Sequence, residues 1–172
     1  MRHLATQWLR KFGKKISMKI SEHLDLSEVI RSESAKRAGI SNMPSEEHIR
    51  NLKLLAENIF EPIRANFRMP IRISSAYRSR SLNSYVNGSL SSQHCKGEAI
   101  DIDMDGNPHG ITNAQVFEYI KNYLPFDQLI WEFGTNENPD WVHVSYSSTG
   151  NQRKQALKAV KIDGKTRYNP YK

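Results

Sequence analysis

Two stretches decide how this chain folds: Ser92-Gln93-His94-Cys95-Lys96-Gly97-Glu98-Ala99-Ile100-Asp101-Ile102-Asp103-Met104, and Asp140-Trp141-Val142-His143-Val144-Ser145-Tyr146. From Ala99 to Met104 the residues alternate. Ile100, Ile102 and Met104 fall on one face, Asp101 and Asp103 on the other. A period of two reads as a half-buried strand. Trp141 to Tyr146 alternates in the same way, with Trp141, His143 and Ser145 on one face and Val142 and Val144 on the other. If the two strands are neighbours, His143 and Asp101 converge, and His94 is seven residues upstream of Asp101 by way of small Gly97 and Ala99. A catalytic zinc takes three protein ligands, from imidazole nitrogen and carboxylate oxygen among others, and keeps one position open. His94, Asp101 and His143 are such a set. Asp140 stands three residues before His143, where strand parity places it on the opposite face. A bend at Asn138-Pro139 is needed to bring it to a water at the metal, where it would serve as general base.

Working outward, Ser45 follows Pro44 and precedes Glu46 and Glu47, the signature of a helix start. Ile49, Leu52, Ala56, Ile59 and Ile63 continue at helical spacing, and Pro62 is expected to kink or tighten the last turns. A short strand is expected from Ile71 to Ser75, followed by a polar loop carrying Tyr77 and Arg78. Asn87-Gly88 marks a turn. Thr112 should cap a helix running through Val116, Ile120 and Tyr123, and Gln128 to Trp131 reads as a strand. Asp163-Gly164 signals a final hairpin. Helices come first and strands cluster later, which favours an α+β domain over a doubly wound one.

The 172 residues suffice for one domain with a real core. Residues 1–20 read as a basic lead-in in which Leu4, Trp8 and Phe12, four apart, suggest a short helix; residues 21–172 read as a single domain. The net charge is +7 and basic residues crowd both ends, so polyanions are attracted. Nucleic acid and the anionic bacterial envelope both qualify, and charge alone does not choose. The lone Cys95 excludes an internal disulfide. No run of about 18 apolar residues offers a membrane span. The basic start is followed by no apolar run of signal-peptide type, so synthesis and retention in the cytoplasm are expected unless another device releases the protein.

The pattern Ser92-x-His94-x-x-Gly97-x-Ala99-x-Asp101, with Asp140-x-x-His143 downstream, resembles the D-alanyl-D-alanine carboxypeptidase-like zinc peptidases, which share a fold with the Hedgehog signalling domain. Ser74-Ser75-Ala76-Tyr77-Arg78-Ser79 with Asn83 resembles that family's substrate-side arginine segment. Ile40 to Pro44 and Glu61-Pro62-Ile63-Arg64 resemble its phage and prophage branch. The resemblance covers roughly residues 23–148. It implies helices packed on one face of a small, mainly antiparallel sheet that carries the zinc site. It also implies a peptidoglycan hydrolase: an L-Ala-D-Glu endopeptidase of the endolysin kind, or a D-Ala-D-Ala carboxypeptidase or dipeptidase. By the same resemblance His94, Asp101 and His143 bind Zn2+, Asp140 is the acid/base, Arg78 holds or polarises the substrate, and Tyr77, Ser92 and Trp141 border it. Many members carry Glu where Asp140 stands; Asp occurs notably in phage endopeptidases, and the preference here is for the endopeptidase. The expected protein is a monomer that acts on the wall after release.

Other readings compete. A non-catalytic zinc-containing binding module would lack the acid/base, and Asp140 argues against that. A phage particle component would need an assembly domain. A nucleic-acid binder rests on charge alone and is not favoured. Asp101-x-Asp103-x-Asp105-Gly106 imitates a calcium loop, but its twelfth position is Thr112. Asp103 is expected to orient a metal-bound histidine or to be solvated. His3, His23, His48 and His109 are expected on the surface, and Cys95 as an inert thiol pointing away from the ligands.

Overall fold

The computed structural model describes residues 18–172; the helix expected around Leu4, Trp8 and Phe12 lies outside the described residues. A two-stranded ribbon, β1 (Lys19–Ser21) and β2 (Leu24–Asp25), leads into two short helices, α1 (Leu26–Val29) and α2 (Glu33–Ala38). Next comes α3 (Glu46–Leu55), whose N-cap Ser45 accepts a hydrogen bond from the His48 amide. A π-helical segment, Ala56–Phe60, joins it to α4 (Glu61–Phe67). The sequence predicted that Pro62 would kink or tighten this stretch. Just upstream the turn widens rather than tightens, with the Glu61 amide donating five residues back to the Ala56 carbonyl. Proline has no N–H to offer, and a wider turn is one way a helix passes such a residue without breaking.

Downstream lie β3 (Ile73–Ser75), α5 (Arg80–Tyr85), a 3-10 turn (Gln93–Lys96), β4 (Ala99–Ile102), α6 (Asn113–Tyr123), β5 (Gln128–Glu132), β6 (Trp141–Ser145), β7 (Gln155–Ile162) and β8 (Lys165–Pro170). The cap expected at Thr112 forms a reciprocal capping box with Gln115. Asp163 and Gly164 both take positive φ, as the tight β7–β8 turn requires. The six strands order β3-β4-β6-β5-β7-β8; β5 and β7 run parallel and every other pair antiparallel. The α+β class read from the sequence is the class observed.

Register fixes what shares a face. Asp101 lies opposite His143, His143 opposite Ile130, and Ile130 opposite Leu157. One row over, Trp141 faces Glu132, Glu132 faces Ala159 and Ala159 faces Tyr168. On the other side, Ala99 faces Ser145, and Gln128 faces Gln155. The residues between these rows point the opposite way. Ile100, Ile102, Leu129, Trp131, Val142 and Val144 form one core with Leu52, Ile59, Phe60 and Ile63 of the α3–α4 stretch and Val116, Phe117 and Ile120 of α6. Each large apolar side chain removed from water there contributes roughly 1.5–3 kcal/mol before ordering costs. The helices thus cover one face and leave the other open for chemistry.

Candidate active site

His94 sits in the 3-10 turn that enters β4. Gly97 ends the turn at φ 71, and a Cβ there would meet the His48 carbonyl at 2.6 Å. Only glycine permits both the conformation and the approach. The turn is tied to the Arg78 segment, because the Arg78 amide donates to the His94 carbonyl at 3.2 Å. That segment is clamped in turn by the buried Asn42. Its Nδ2 donates to the Ile30 and Tyr77 carbonyls, and its Oδ1 accepts from the Ser79 amide.

His94 Nδ1 is 2.6 Å from the Ala76 carbonyl oxygen. A carbonyl only accepts, so Nδ1 carries the proton and Nε2 turns a lone pair toward the cleft. His143 Nδ1 lies 3.3 Å from that Nε2. Asp101 Oδ1 lies 3.3 Å from His94 Nε2 and 2.9 Å from His143 Nδ1. The three ligand atoms lie within 4.8 Å of one another, and the side chains are only 6%, 13% and 11% exposed for His94, Asp101 and His143. Electron-rich atoms this close and this dry repel one another unless a cation or proton sits among them. The donor set of two imidazoles and one carboxylate, open on its cleft side, fits zinc. Burial alone would raise the Asp101 pKa, but when a proton rather than a metal sits on the ring atoms that face it, the charge of His94 and the hydrogen bonds from both histidines outweigh burial and hold the carboxyl well below its ordinary value.

A cleft of about 640 Å³ lies over this cluster. Arg78, Ser92, Gln93, Trp141 and the three cluster residues line it, together with Ile130, Glu132, Phe133, Gln155, Leu157 and Tyr168. Arg78 donates from Nη2 to Ser75 Oγ at 3.3 Å and from Nη1 to Asn83 Oδ1 at 3.5 Å, and no acidic side chain among the described residues pairs with it. Its charge is therefore left for something else in the cleft.

The sequence-named residues part company here. Ser92 and Trp141 border the cleft. Tyr77 does not: it is buried, its ring 5.2 Å from that of His48, and it lines a neighbouring cavity with Arg31, Ser32 and Arg78. Asp140 is exposed and also outside the cleft lining; it borders a separate cavity with Phe133, Lys158 and Lys161. The loop before it is held by Asn113, whose Nδ2 donates to the Pro139 and Asp140 carbonyls. Asp103 pairs with Arg72 at 2.8 Å rather than orienting a histidine. His48 is partly buried against Tyr77 rather than on the surface, and Cys95 is buried with its thiol pushed up by burial.

Sequence reading missed Glu132. It is 7% exposed, shares the open face with His143 and Trp141, and lines the cleft. Burial, reinforced by Asp101 and opposed by His143, raises its pKa to about 7. The signal was present: Gln128, Ile130 and Glu132 alternate against Leu129 and Trp131, and Glu132 lies one residue past the expected strand end.

With this geometry in place, the chain can be assigned. A family model described as Peptidase M15 matches residues 22–145. The chain belongs to this family of zinc peptidases of the D-Ala-D-Ala carboxypeptidase-like kind. No curated protein matches the chain. Among the described residues, no helix is long and apolar enough to cross a membrane.

Proposed function

We propose that the protein is a zinc endopeptidase of peptidoglycan stem peptides, of the endolysin kind, cutting the L-Ala-D-Glu bond. The observation that carries this reading is the His94–Asp101–His143 cluster on the floor of a cleft that also holds a buried, electrically strained carboxyl at Glu132. His94, Asp101 and His143 would hold the zinc, which when bound supplies Lewis acidity toward the scissile carbonyl and toward a water.

The remaining steps belong to the chain. Glu132 takes a proton from the attacking water as its oxygen bonds to the carbonyl carbon, then passes it to the amide nitrogen as the C–N bond breaks. A buried carboxyl that lines the same cleft as the cluster is placed to do both. We assign this role to Glu132 rather than Asp140, because Asp140 is solvated and lies outside the cleft lining. Arg78, without an acidic partner, takes the carboxylate that the D-Glu residue presents beside the bond, in a fork geometry suited to carboxylates. We also propose that residues 21–172 act as one monomeric unit. Its basic surface favours the anionic envelope, and it meets the wall after release from the cytoplasm.

The test is hydrolysis of purified peptidoglycan, with the new termini identified by mass spectrometry. Cleavage that stops with chelator, returns with zinc and is lost in Glu132→Gln supports the reading, and the termini name the bond. Release of a terminal D-Ala would replace the endopeptidase with a carboxypeptidase. A folded, zinc-loaded chain that cleaves nothing would make it a binding module.

A further inference from the structure

The β7–β8 hairpin lies beyond the segment that matches the family, yet it builds one end of the cleft. Gln155 and Leu157 of β7 and Tyr168 of β8 line the same space as His143 and Glu132. Register explains how. Leu157 continues the row Asp101–His143–Ile130, and Tyr168 continues the row Trp141–Glu132–Ala159. Two strand spacings, about 9–10 Å, separate the Glu132 and Tyr168 backbones. The residue between them is Ala159, whose methyl leaves the space above the sheet to a longer neighbour. Tyr168, opposite Ala159, lines the cleft while remaining 53% exposed, and no other described residue forms a hydrogen bond with its hydroxyl. Burial first, then the charges of Glu132 and Asp101, push its phenol pKa up.

Arg78 reaches the cleft from the β3 end of the sheet and Tyr168 from the β8 end, with the metal cluster and Glu132 between them. The cleft therefore continues on both sides of the bond to be cut. We propose that Tyr168 and Leu157 form a subsite for the acyl half of the substrate, the half that carries the scissile carbonyl and whatever acylates its amine. The Tyr168 hydroxyl donates to a carbonyl of that half, and Leu157 with Ile130 supplies an apolar floor. The choice of half follows from Arg78, which suits the carboxylate on the amine half and leaves the hairpin end to the other. This inference rests on the peptidase reading of the site.

Calorimetric titration tests it without relying on turnover. The full chain carrying Glu132→Gln, loaded with zinc, would be titrated with an N-acetylmuramoyl stem peptide and with the same peptide bearing a free N-terminal L-Ala. The muramoyl peptide should bind at least about fivefold more tightly, an advantage of the size one hydrogen bond and a modest apolar contact supply. Adding Tyr168→Ala should erase that advantage while leaving the free peptide within about twofold, and Tyr168→Phe should erase only part of it. Equal affinities for the two probes, equal weakening of both by Tyr168→Ala, or no binding of either would overturn the subsite. Wild type that binds with this preference but never cleaves would instead overturn the peptidase reading.

Discussion

The two faces of the six-stranded sheet are written by the same strands with opposite parity. On the helix-covered face, Ile100, Ile102, Leu129, Val142 and Val144 are at most 1% exposed, and nothing polar interrupts them. On the open face, Asp101, His143, Glu132 and Ser145 come from the same stretches and are nearly as dry, yet all are polar. Burial that releases free energy on one face costs it on the other. Ser145 meets the cost locally: its Oγ donates to the Gln128 carbonyl and accepts from the Gln128 amide. Asp101, His143 and Glu132 are not settled so simply. Asp101 needs positive partners, and Glu132 prefers its proton. Polar groups held dry against their own preference mark the working face of this sheet.

Five measurements would break or sharpen that contrast. The largest effect belongs to the metal cluster. His143→Ala should lose bound zinc in metal analysis and lower kcat/KM by more than about 10³-fold. Next is the proposed base: Glu132→Gln should keep its zinc but lower kcat by about 10²–10⁴-fold, whereas Asp140→Asn should stay within about threefold. The reverse ranking would return the role to Asp140.

The covered face should respond in stability rather than chemistry. Ile102→Ala, which opens a cavity at a side chain with no exposure, should cost about 2–5 kcal/mol by urea unfolding and leave turnover intact where the protein is folded. Glu132 gives the opposite sign. Its carboxyl rises from 4.5 to about 7 on folding, so its ionised form burdens the native state. That burden is absent below pH 4.5 and complete above about 7. The metal-free Glu132→Gln variant should therefore be more stable than wild type by about 2–3 kcal/mol at pH 8, with the gap closing toward pH 4.5. Equal stability at pH 8 would mean that the open face carries no such strain.

The smallest effect lies where the hairpin joins the sheet. Asp127 is buried and accepts from the Arg153 guanidinium, the Arg153 amide and Gln93 Nε2, so it links the start of β7 to the turn that carries His94. Its Arg153 hydrogen bonds lower its pKa to about 2. That stabilisation is present above about pH 4 and fades as pH falls toward 2. Asp127→Asn should cost about 1–2 kcal/mol at pH 7, given a half-exposed Arg153, and should flatten the urea midpoint between pH 4 and 2.

Much of this is legible in residue spacing alone. The alternation in Ala99–Met104 and Trp141–Tyr146 reveals both strands and the facing of Asp101 and His143, because a period of two maps sequence directly onto sheet faces. The caps at Ser45 and Thr112 and the turn at Asp163-Gly164 are legible because each depends on a few neighbouring residues. Pro62 misleads, since the sequence names an obstacle to a helix without saying how the helix passes it. Tyr77 is drawn toward the substrate by its neighbour Arg78, but a loop outside regular structure has no parity to read, and its ring turns inward to His48.

The sequence by itself determined the class of fold, the family and a His94–Asp101–His143 set able to hold a metal, since all three rest on local spacing and on residue types that carry a definite chemistry. Only the tertiary structure decided which carboxyl attends the cluster and what closes the far end of the cleft. Asp140 is near His143 along the chain and Glu132 is eleven residues away, yet strand pairing brings Glu132 to the open face and leaves Asp140 in solvent. Tyr168 reaches the same cleft from twenty-five residues beyond His143, through a parallel pairing of β5 with β7 that no nearby residue announces. Pairing between distant strands is chosen by the packing of the whole sheet, and that is what places Glu132 and Tyr168 along one cleft with His143.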